Sequence, residues 1–489
     1  MSIIGNSVAF GYDANNNAST FIDTVNGTTY TTSYTYDKDN RPTLVTSPKA
    51  NTTEYVYDVL GRLTFKKWKA GAMEYSTSFT YKNHPTDTSL TSTQVASIQN
   101  GSNPSISYMY DANGNITSIT EGTNTIQYVY NELNEVVREN NQRDHKSFVY
   151  HYDLGGNLLS KVEYAYTTAT LGTPISTISY AYTNTNWKDQ LTSFNGKVIT
   201  YDAIGNPLTY DGTTYSWQGR QLVSSSKAGL NINYTYNEAG IRTSKSVNGV
   251  TTSYRLSGDK VTFEQTGSDT IYYVYDTQGQ LISMILNNVE YAYVRNVQND
   301  IVGLINSAGI QVVSYTYSTW GEVLSITGSL ASSVGEKNPY RYRGYRYDSE
   351  TQLYYLQSRY YNPQWGRFVN ADQIISENHI LGTNLLTYCL NNPINMIDID
   401  GREAMTLTAL SLYALGTLVT GMYGFAVMST PQAQRVFNNL FKEISTNISH
   451  GLQVLGGMTI GAISLASSKA NAIAKSIGNS FARTINTPK

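Results

Sequence analysis

The run RYYNPQWGRFVNADQ, residues 359–373, gathers side chains that could do chemistry in a chain that has few of them. It places Arg359, Trp365, Arg367 and Asp372 close together, although charged residues make up only 14% of the sequence. We expect Trp365 and Arg367 to pack and to form pairs rather than to catalyse a reaction. Three arginines alternate just upstream, and we prefer stacking on neighbouring tyrosines or pairing with acidic side chains over a phosphate-binding strip. They are Arg341, Arg343 and Arg346 in YRYRGYRY.

The residue types exclude several kinds of site. The histidines are scattered, and none has the spacing of a metal-binding motif. The single cysteine, Cys389, cannot supply a CxxC pair or an internal disulfide. P-loop and nucleophile-elbow motifs are absent, so we predict no cofactor and no metal ion. The net charge of -2 provides no basic face, so no nucleic-acid partner is predicted. The histidines are His84, His145, His151, His379 and His450.

The composition favours an ordered protein of strands and turns. Tyrosine occurs 42 times and hydrophobic residues make up 40% of the chain. A disordered chain would be poor in aromatic residues and usually rich in charge. Abundant Tyr, Thr, Ser, Asn and Gly with few Lys and Glu indicates strands and turns rather than helices.

A degenerate repeat runs through the first two thirds of the sequence. Where units are closest, the steps from Asp37 to Asp58, Asp111 to Asn131 and Asn131 to Asp153 are 21, 20 and 22 residues. Repeats of this kind govern the fold, so they are considered before any single element. The units are YTYDKDNRPTL, YVYDVLGRLT, YMYDANGNITSI, YVYNELNEVV, HYDLGGNLLS, TYDAIGNPLTY, YTYNEAGIRTS and YVYDTQGQLIS.

Each unit predicts a β-hairpin. Tyrosines two positions apart fall on one face of a strand, and the sequence from Asp58 to Gly61 fits a type I turn with Asp first and Gly fourth. Isolated hairpins are marginal in water, so neighbours must pair into one sheet, and strand twist must coil it. The tyrosines could stack on sugars or bases. Because nearly every unit carries them, we prefer cross-strand packing.

From Asn338 the sequence changes to NPYRYRGYRYDSETQLYYLQSRYYNPQWGRFVNADQ. The upstream units resemble the YD repeats of Rhs proteins, and this segment resembles the Rhs repeat-associated core that ends such arrays. The order Tyr-Arg-Gly-Tyr, Leu-Tyr-Tyr-Leu, Arg-Tyr-Tyr, Gly-Arg-Phe and Asn-Asn-Pro carries the resemblance. Similar repeats occur in bacterial wall-associated proteins, in insecticidal toxin complexes and in animal teneurins.

This resemblance implies a mainly β fold with three parts. Residues 1–335 would be YD-repeat hairpins coiled into a long spiral sheet that forms a hollow shell. Residues 336–402 would be the core, which enters one end of the shell as a plug. Residues 403–489 would be a variable, helical, partly hydrophobic segment, and in the family this position usually holds a toxin kept inside the shell.

The resemblance also implies a site. In many members the core is an aspartyl autoprotease that cuts just after a closing Asp-Pro-x-Gly-Leu motif. The family's two catalytic aspartates fall on Asp372 and Asp398, its assisting arginine falls on Arg359, and the cleavage site falls at Gly401 and Arg402. Two carboxylates that share one proton can activate water and protonate the substrate, while a guanidinium stabilises negative charge.

Three positions depart from the family pattern. Gln373 and Ile399 stand where proline is usual, and Arg402 stands where cleaving members have Leu or another apolar residue. Loss of both prolines relaxes the loops that hold the carboxylates. The alternative interpretation is that Asp372 and Asp398 only cap turns in the plug, so the chain is at most an aspartyl-type autoprotease.

The C-terminal segment differs in composition from everything before it. Residues 405–428 carry no charge and are long enough to span a bilayer. We therefore keep two interpretations, a membrane helix and a helix buried within the shell. Residues 431–449 predict an amphipathic helix that begins at Pro431. From Arg402 onward the chain has seven Lys or Arg residues and two Glu residues, and this net basic charge would suit contact with a membrane.

We expect a repeat shell that presents a variable C-terminal effector in contact-dependent bacterial competition. The predicted partners are its own C-terminal segment as cargo, an immunity protein, and a membrane through residues 405–428. The alternatives are a surface adhesion module that binds cell-wall carbohydrate, or an inactive orphan tip. The resemblance implies a secreted or wall-associated protein, although MSIIGNSVAFGYDANNN contains no signal peptide. We expect a fragment of something longer, with an intact cytoplasmic protein as the alternative.

Overall fold

The computed structural model describes residues 6–83, 91–373 and 380–406. These residues fall into two compact units. The first contains residues 6–55 and 274–280, and the second contains residues 56–273 and 281–406. The predicted membrane and amphipathic helices, together with His84, His379 and His450, lie outside the described residues. No helix within the described ranges is long and apolar enough to cross a membrane.

Thirty strands carry the described repeats, and the predicted mainly β class is confirmed. They are β1 Ser7–Tyr12, β2 Ala18–Val25, β3 Thr28–Tyr36, β4 Pro42–Thr46, β5 Thr52–Tyr57, β6 Leu63–Ala70, β7 Met73–Asn83, β8 Thr91–Asn100, β9 Ile106–Tyr110, β10 Ile116–Glu121, β11 Asn124–Tyr130, β12 Val136–Asn141, β13 Lys146–Tyr152, β14 Leu158–Ala165, β15 Ser176–Ala181. They continue with β16 Ser193–Phe194, β17 Lys197–Tyr201, β18 Pro207–Tyr210, β19 Thr213–Gln218, β20 Gln221–Lys227, β21 Leu230–Tyr236, β22 Arg242–Val247, β23 Val250–Ser257, β24 Lys260–Thr266, β25 Asp269–Tyr275, β26 Leu281–Leu286, β27 Val289–Arg295, β28 Ile301–Ile305, β29 Gln311–Tyr317, β30 Val323–Thr327.

Short elements follow the repeats. The strands are β31 Arg346–Asp348, β32 Leu353–Tyr355, β33 Tyr360–Asn362, β34 Arg367–Phe368, β35 Met396–Asp398 and β36 Ala404–Thr406. Single helical turns occupy Ala331–Gly335, Tyr342–Gly344, Ile380–Thr383 and Cys389–Asn391. β31 to β34 form one small antiparallel sheet, and β35 pairs with β36.

Consecutive strands pair antiparallel in each unit. In the first unit β1 to β5 form one ladder. In the second unit the ladder runs from β6 to β25 and from β26 to β30. Within this unit, later strands contact earlier ones. Asn100 donates to the carbonyl of Arg295 at 3.1 Å, and Arg143 donates to the carbonyl of Tyr317 at 3.3 Å.

One hydrogen bond shapes the repeat turns. The side-chain oxygen of the first turn residue accepts the backbone N–H of the residue four positions later, which satisfies a donor that the strand ladder leaves free. At Asp58 this bond to Arg62 is 2.9 Å, and Gly61 has a φ of 79°, which favours glycine. The pairs are Asp13 with Asn17, Asp37 with Arg41, Asp58 with Arg62, Asp111 with Asn115, Asn131 with Glu135, Asp153 with Asn157, Asp202 with Asn206, Asn237 with Ile241, Asp276 with Gln280, Asn296 with Asp300, Asn306 with Ile310, and Ser318 with Glu322.

The tyrosines are packing residues, as preferred from the sequence. Tyr108, Tyr128 and Tyr150 are buried and belong to the main apolar cluster of the second unit. The tyrosine directly before a turn plays another part, because its hydroxyl donates to a carbonyl just after the preceding turn. Tyr130 bonds to Ile116 at 2.7 Å, and Tyr152 bonds to Val136 at 2.8 Å. These bonds link each hairpin to the one before it.

The segment after β30 packs against one edge of the repeat ladder. Antiparallel strands reverse at each connection, so every second connection between β9 and β14 lies at the same edge. The Asp and Asn turns of this run are those connections, and the fifth residue of each bonds to the later segment. The contacts are Asn115 with Asn392, Glu135 with Asn391, and Asn157 with Arg367 and Asn384.

A buried ion pair also fixes this segment on the repeats. Arg242 of β22 makes a two-pronged contact with Asp348 of β31 at 2.6 and 3.1 Å, and both side chains are 1% exposed. Lys245 lies 3.2 Å from the same carboxylate. Burial alone would raise the pKa of the Asp348 carboxyl, but Arg242 and Lys245 lower it below its ordinary value. The carboxylate is therefore ionised at neutral pH.

We expect Asp348→Asn to lower the free energy of unfolding by about 3–5 kcal/mol at pH 7, because it leaves the buried Arg242 without its counter-ion. Since the pKa of Asp348 is lowered by folding, its contribution is present above the unfolded pKa near 4 and is lost as the pH falls through the folded pKa. Thermal melting of both chains from pH 3 to 7 measures this. Asp211→Asn, which removes an exposed pair with Lys197, serves as control and should have little effect. Equal effects of the two substitutions would contradict the prediction.

Candidate functional site

The closing turn, residues 398–402, is built like a repeat turn. Asp398 accepts the backbone N–H of Arg402 at 2.9 Å through Oδ1, and Gly401 has a φ of 76°. The sequence DIDGR therefore forms the same side-chain cap as DVLGR at Asp58. Asp398 does cap a turn, as the alternative interpretation states, but only one of its two oxygens is used for this. The other oxygen is available to a different partner.

That partner is Arg359, which lies directly before β33. Its Nη2 is 3.0 Å from Oδ2 of Asp398 and 3.0 Å from Oδ2 of Asp372. The two carboxylate oxygens therefore lie no further apart than twice that distance. The guanidinium also donates through Nη1 to the carbonyl of Leu385 at 3.2 Å, and it stacks 3.5 Å from the centre of the Phe368 ring. These contacts fix its plane between the carboxylates.

Asp372 comes from a different loop, four residues after β34. Its backbone N–H donates to the carbonyl of Leu385 at 3.0 Å, which ties this loop to the residue that also holds Arg359. The Asp372 side chain is 11% exposed, whereas that of Asp398 is 1% exposed. The site thus has one carboxylate with access to water and one that is fully enclosed.

Burial gives Asp398 an unusual acidity. Enclosure in the protein raises the pKa of its carboxyl to about 6, although Arg359 acts to lower it. Asp400 and Asp372 add to the rise, while the N–H of Arg402 acts to lower it. Asp58 has the same turn bond but is far less enclosed, and the hydrogen bonds from Arg62 hold its pKa below the ordinary value. The carboxyl of this kind of turn therefore has a higher pKa when it is buried beside a second carboxylate.

The Gly401 carbonyl faces the same guanidinium. Arg359 donates to it through Nε, and the Ser358 hydroxyl lies 2.6 Å from it. A side chain on Gly401 would meet the Leu356 carbonyl at 2.7 Å and the Ser358 hydroxyl at 2.8 Å. Glycine is therefore required here both by the positive φ and by the closeness of the neighbouring backbone.

All five residues that the sequence pointed to converge at this place. Arg359, Asp372 and Asp398 meet as described, and the peptide between Gly401 and Arg402 lies beside them. Ser358 and Phe368 were missed by the sequence analysis. Ser358 is adjacent to Arg359 and Phe368 lies in the Gly-Arg-Phe motif, but neither residue type indicates by itself a contact with a carbonyl or a guanidinium.

The other arginines that the sequence analysis singled out pack and form pairs within the fold. The interpretation of Arg341, Arg343 and Arg346 as a phosphate-binding strip is wrong, because all three are buried. Arg343 lies 3.4 Å from Asp300, Arg346 pairs with Glu264, and Arg341 stacks on Tyr347. Burial of a guanidinium is tolerated when a carboxylate or an aromatic face replaces water.

Trp365 and Arg367 also pack and pair, as expected. Trp365 is 2% exposed and meets the Tyr210 ring edge to face, with centroids 5.1 Å apart. Arg367 donates to Asn157 at 3.0 Å and to the carbonyl of Asp189 at 2.9 Å. Elsewhere in the described ranges, no group of three or more His, Cys, Asp or Glu side chains is placed to hold a metal ion.

Comparison with known proteins shows the family of the chain. Residues 45–188 and 176–394 match the Teneurin YD-shell family model, which together is more than half of the chain. The chain belongs to this family. The expected likeness to Rhs and YD-repeat proteins is confirmed, and the core motifs up to residue 394 lie inside the matched range.

The chain spans about a tenth of the length of the first relatives that it matches. The tRNA3(Ser)-specific nuclease WapA of Bacillus spizizenii is 35% identical over 281 residues, which is 56% of this chain and 12% of that protein. The fold recurs in solved structures. The crystal structure of TcdB2-TccC3-Cdc42 has a TM-score of 0.58 at 16% identity, over 84% of this chain and 24% of that one. The Photorhabdus luminescens Tc holotoxin pore has a TM-score of 0.56 at 16% identity, over 83% of this chain and 24% of that one.

The raised pKa of Asp398 predicts a pH effect on stability. A carboxyl whose pKa is higher in the folded state stabilises the fold below the unfolded pKa near 4, and this contribution is lost as the pH rises to about 6. Asp372→Asn should therefore lose stability relative to Asp372→Asn/Asp398→Asn over this range, by roughly 1.4 kcal/mol for each unit by which the pKa of Asp398 stays raised. The loss should be smaller than the full shift would give, because Asp372 is one of the groups that raise this pKa. The shared Asp372→Asn change keeps both chains in one piece if self-cleavage occurs.

Thermal melting between pH 4 and 7 measures the difference. Asp58→Asn in the same background is the matched control, because the pKa of Asp58 is lowered and its removal should give no such trend. A flat or rising curve for the Asp398 comparison would contradict the prediction.

Proposed function

We propose that this chain is the closing part of a toxin-type Rhs shell and that it carries its own C-terminal segment as an effector. In this proposal residues 1–335 are the repeat shell, residues 336–402 are the core, and residues 403–489 are the effector. The family match, the relation to a tRNA3(Ser)-specific nuclease and the fold shared with the Tc holotoxin pore support it. A secreted or surface location and an immunity protein are part of the same proposal.

We further propose that the core cuts the chain within the closing turn. The observation that carries this is the bridge that Arg359 makes between the buried Asp398 carboxylate and the half-buried Asp372 carboxylate while it also holds the Gly401 carbonyl. We assign the proton that the two carboxyls share to Asp398, because burial raises the pKa of this carboxyl to about 6. Asp372, the more exposed partner, then acts as the base that activates water.

The departures from the family pattern do not disrupt this arrangement. The turn from Asp398 to Arg402 closes with Ile399 in place of proline, because the bond from Arg402 N–H to Asp398 fixes it. Gln373 replaces the other proline, and the Asp372 loop is held by its bond to Leu385. Local hydrogen bonds thus supply the order that the missing prolines would otherwise provide.

Self-cleavage predicts that purified protein appears on a denaturing gel as two pieces, with a small fragment the size of residues 402–489. Asp372→Asn and Asp398→Asn should each abolish the small fragment. Arg359→Lys should slow its release, because an ammonium cannot bridge two carboxylates and a carbonyl as a planar guanidinium does. A time course after refolding from denaturant gives the rate.

Asp58→Asn is the matched control, since it alters the same kind of turn away from the site and should leave the fragment unchanged. Full-length protein alone in the unaltered chain would contradict the proposal. So would a fragment that persists in both aspartate variants.

The effector part of the proposal predicts that residues 403–489 slow bacterial growth when they are expressed alone. The physical reason is the combination of uncharged stretches with a net basic charge, which favours contact with an anionic membrane. The full chain with Asp398→Asn, which keeps the segment attached, should be tolerated. Growth curves and dye leakage after induction measure the effect. The same segment with Lys442, Lys469 and Lys475 replaced by Gln, which removes most of the net basic charge, is the control. Equal growth in all cultures would contradict the prediction.

A further inference from the structure

We propose that hydrolysis in the closing turn occurs at the Gly401–Arg402 peptide bond and that Ser358 stabilises the reacting carbonyl oxygen. This rests on the self-cleavage proposed above and makes it more specific. The family resemblance puts the cut after the residue that follows the closing glycine, which here is one bond later, between Arg402 and Glu403.

The carbonyl side of the bond is held by two donors. The guanidinium of Arg359 donates to the Gly401 oxygen through Nε, and the Ser358 hydroxyl lies 2.6 Å from the same oxygen. The hydroxyl is also 2.8 Å from the Asp400 oxygen, but that oxygen already accepts the backbone N–H of Ser358 at 3.1 Å. The single hydroxyl proton can serve either oxygen, and the Gly401 oxygen is the nearer of the two. Two donors on one carbonyl oxygen form an oxyanion-binding arrangement.

The nitrogen side of the same bond faces the acid. The Arg402 nitrogen lies 2.9 Å from Oδ1 of Asp398, the carboxyl whose other oxygen meets Arg359. Donors on the oxygen and a carboxyl at the nitrogen thus bracket one peptide bond, Gly401–Arg402. The Arg402 N–H donates to Asp398 while the turn is closed, so this carboxyl is in contact with the leaving nitrogen and is placed to give it a proton as the bond breaks.

An ordinary repeat turn lacks this arrangement. In the Asp58 turn the Arg62 side chain takes the second carboxylate oxygen, with Nε at 2.7 Å and Nη2 at 2.6 Å. In the closing turn Arg359 takes that position, and the Arg402 side chain lies 3.7 Å from Asp400 instead. Elsewhere this kind of turn only connects two strands. Here its carboxylate lies beside a second carboxylate, and its carbonyl oxygen accepts a hydrogen bond from a guanidinium.

The step balances as a hydrolysis. Water gives one proton to the Asp372 carboxylate, and its oxygen bonds to the Gly401 carbonyl carbon. Negative charge on the carbonyl oxygen is stabilised by Arg359 and Ser358. The bond to the Arg402 nitrogen then breaks as Asp398 donates its proton to that nitrogen. The products are a carboxyl group at Gly401 and an amino group at Arg402, and one water is consumed.

The bond is tested by N-terminal sequencing and intact mass of the small fragment from the full chain. A fragment that begins with Arg402 supports the inference. One that begins with Glu403, or at any other residue, overturns it while self-cleavage itself stands. Absence of any fragment overturns both. Gly61–Arg62, in the matched turn, should stay intact in every sample.

The role of Ser358 is tested by rate. Ser358→Ala should slow release of the fragment by roughly 100-fold, which is the usual effect of removing one oxyanion donor. Ser358→Thr keeps the hydroxyl and should restore most of the rate. Melting temperature and resistance to trypsin, measured on both variants with Asp372→Asn added, report whether the fold is kept. An unchanged rate in Ser358→Ala, or equal slowing in both variants, would overturn the role of the hydroxyl.

Discussion

The structure depends on one local hydrogen bond, from a backbone N–H to a side-chain oxygen four residues earlier. It closes the turn at Asp58, and within the part of the chain that the structure describes it does so again at eleven other repeat turns and at Asp398. Without it, a donor beside each turn would be left unsatisfied and the direction of the returning strand would be poorly defined. Asp and Asn suit this position because their short side chains reach the backbone, and both occur here in the repeats.

The core depends on these turns in a second way. The fifth residue of a turn presents its side chain at the edge of the ladder, where Asn115, Glu135 and Asn157 meet amides and an arginine of the core. The contact between Arg242 and Asp348 adds a fully enclosed ion pair. Groups of this kind stabilise only when all partners are present, because a buried charge or amide without its partner is costly. The core and the repeats are therefore stable together.

The local parts of this structure could be predicted from the sequence, and the distant contacts could not. Asp58 and Gly61 specify a turn, and paired tyrosines specify a face, because these effects act over a few residues. The meeting of Arg359, Asp372 and Asp398 came from family resemblance rather than spacing. Ser358 was not predictable, since a serine reaches a carbonyl only through the fold. Two interpretations were considered for Arg341, Arg343 and Arg346, because the alternation of arginines along a strand does not show which face of the strand is buried.

The lengths of these contacts also set an order of events during folding. Turn bonds join residues four apart, whereas the bond between Asn392 and Asn115 spans 277 residues and the bond from Arg359 to Asp398 spans 39. Contacts that are close in sequence form early and distant ones late. The hairpins should therefore form first, and Arg359, Asp372 and Asp398 should meet only after the core has settled on the finished ladder. A reaction that needs all three would mark the end of folding, so the chain could not be divided before its shell is built.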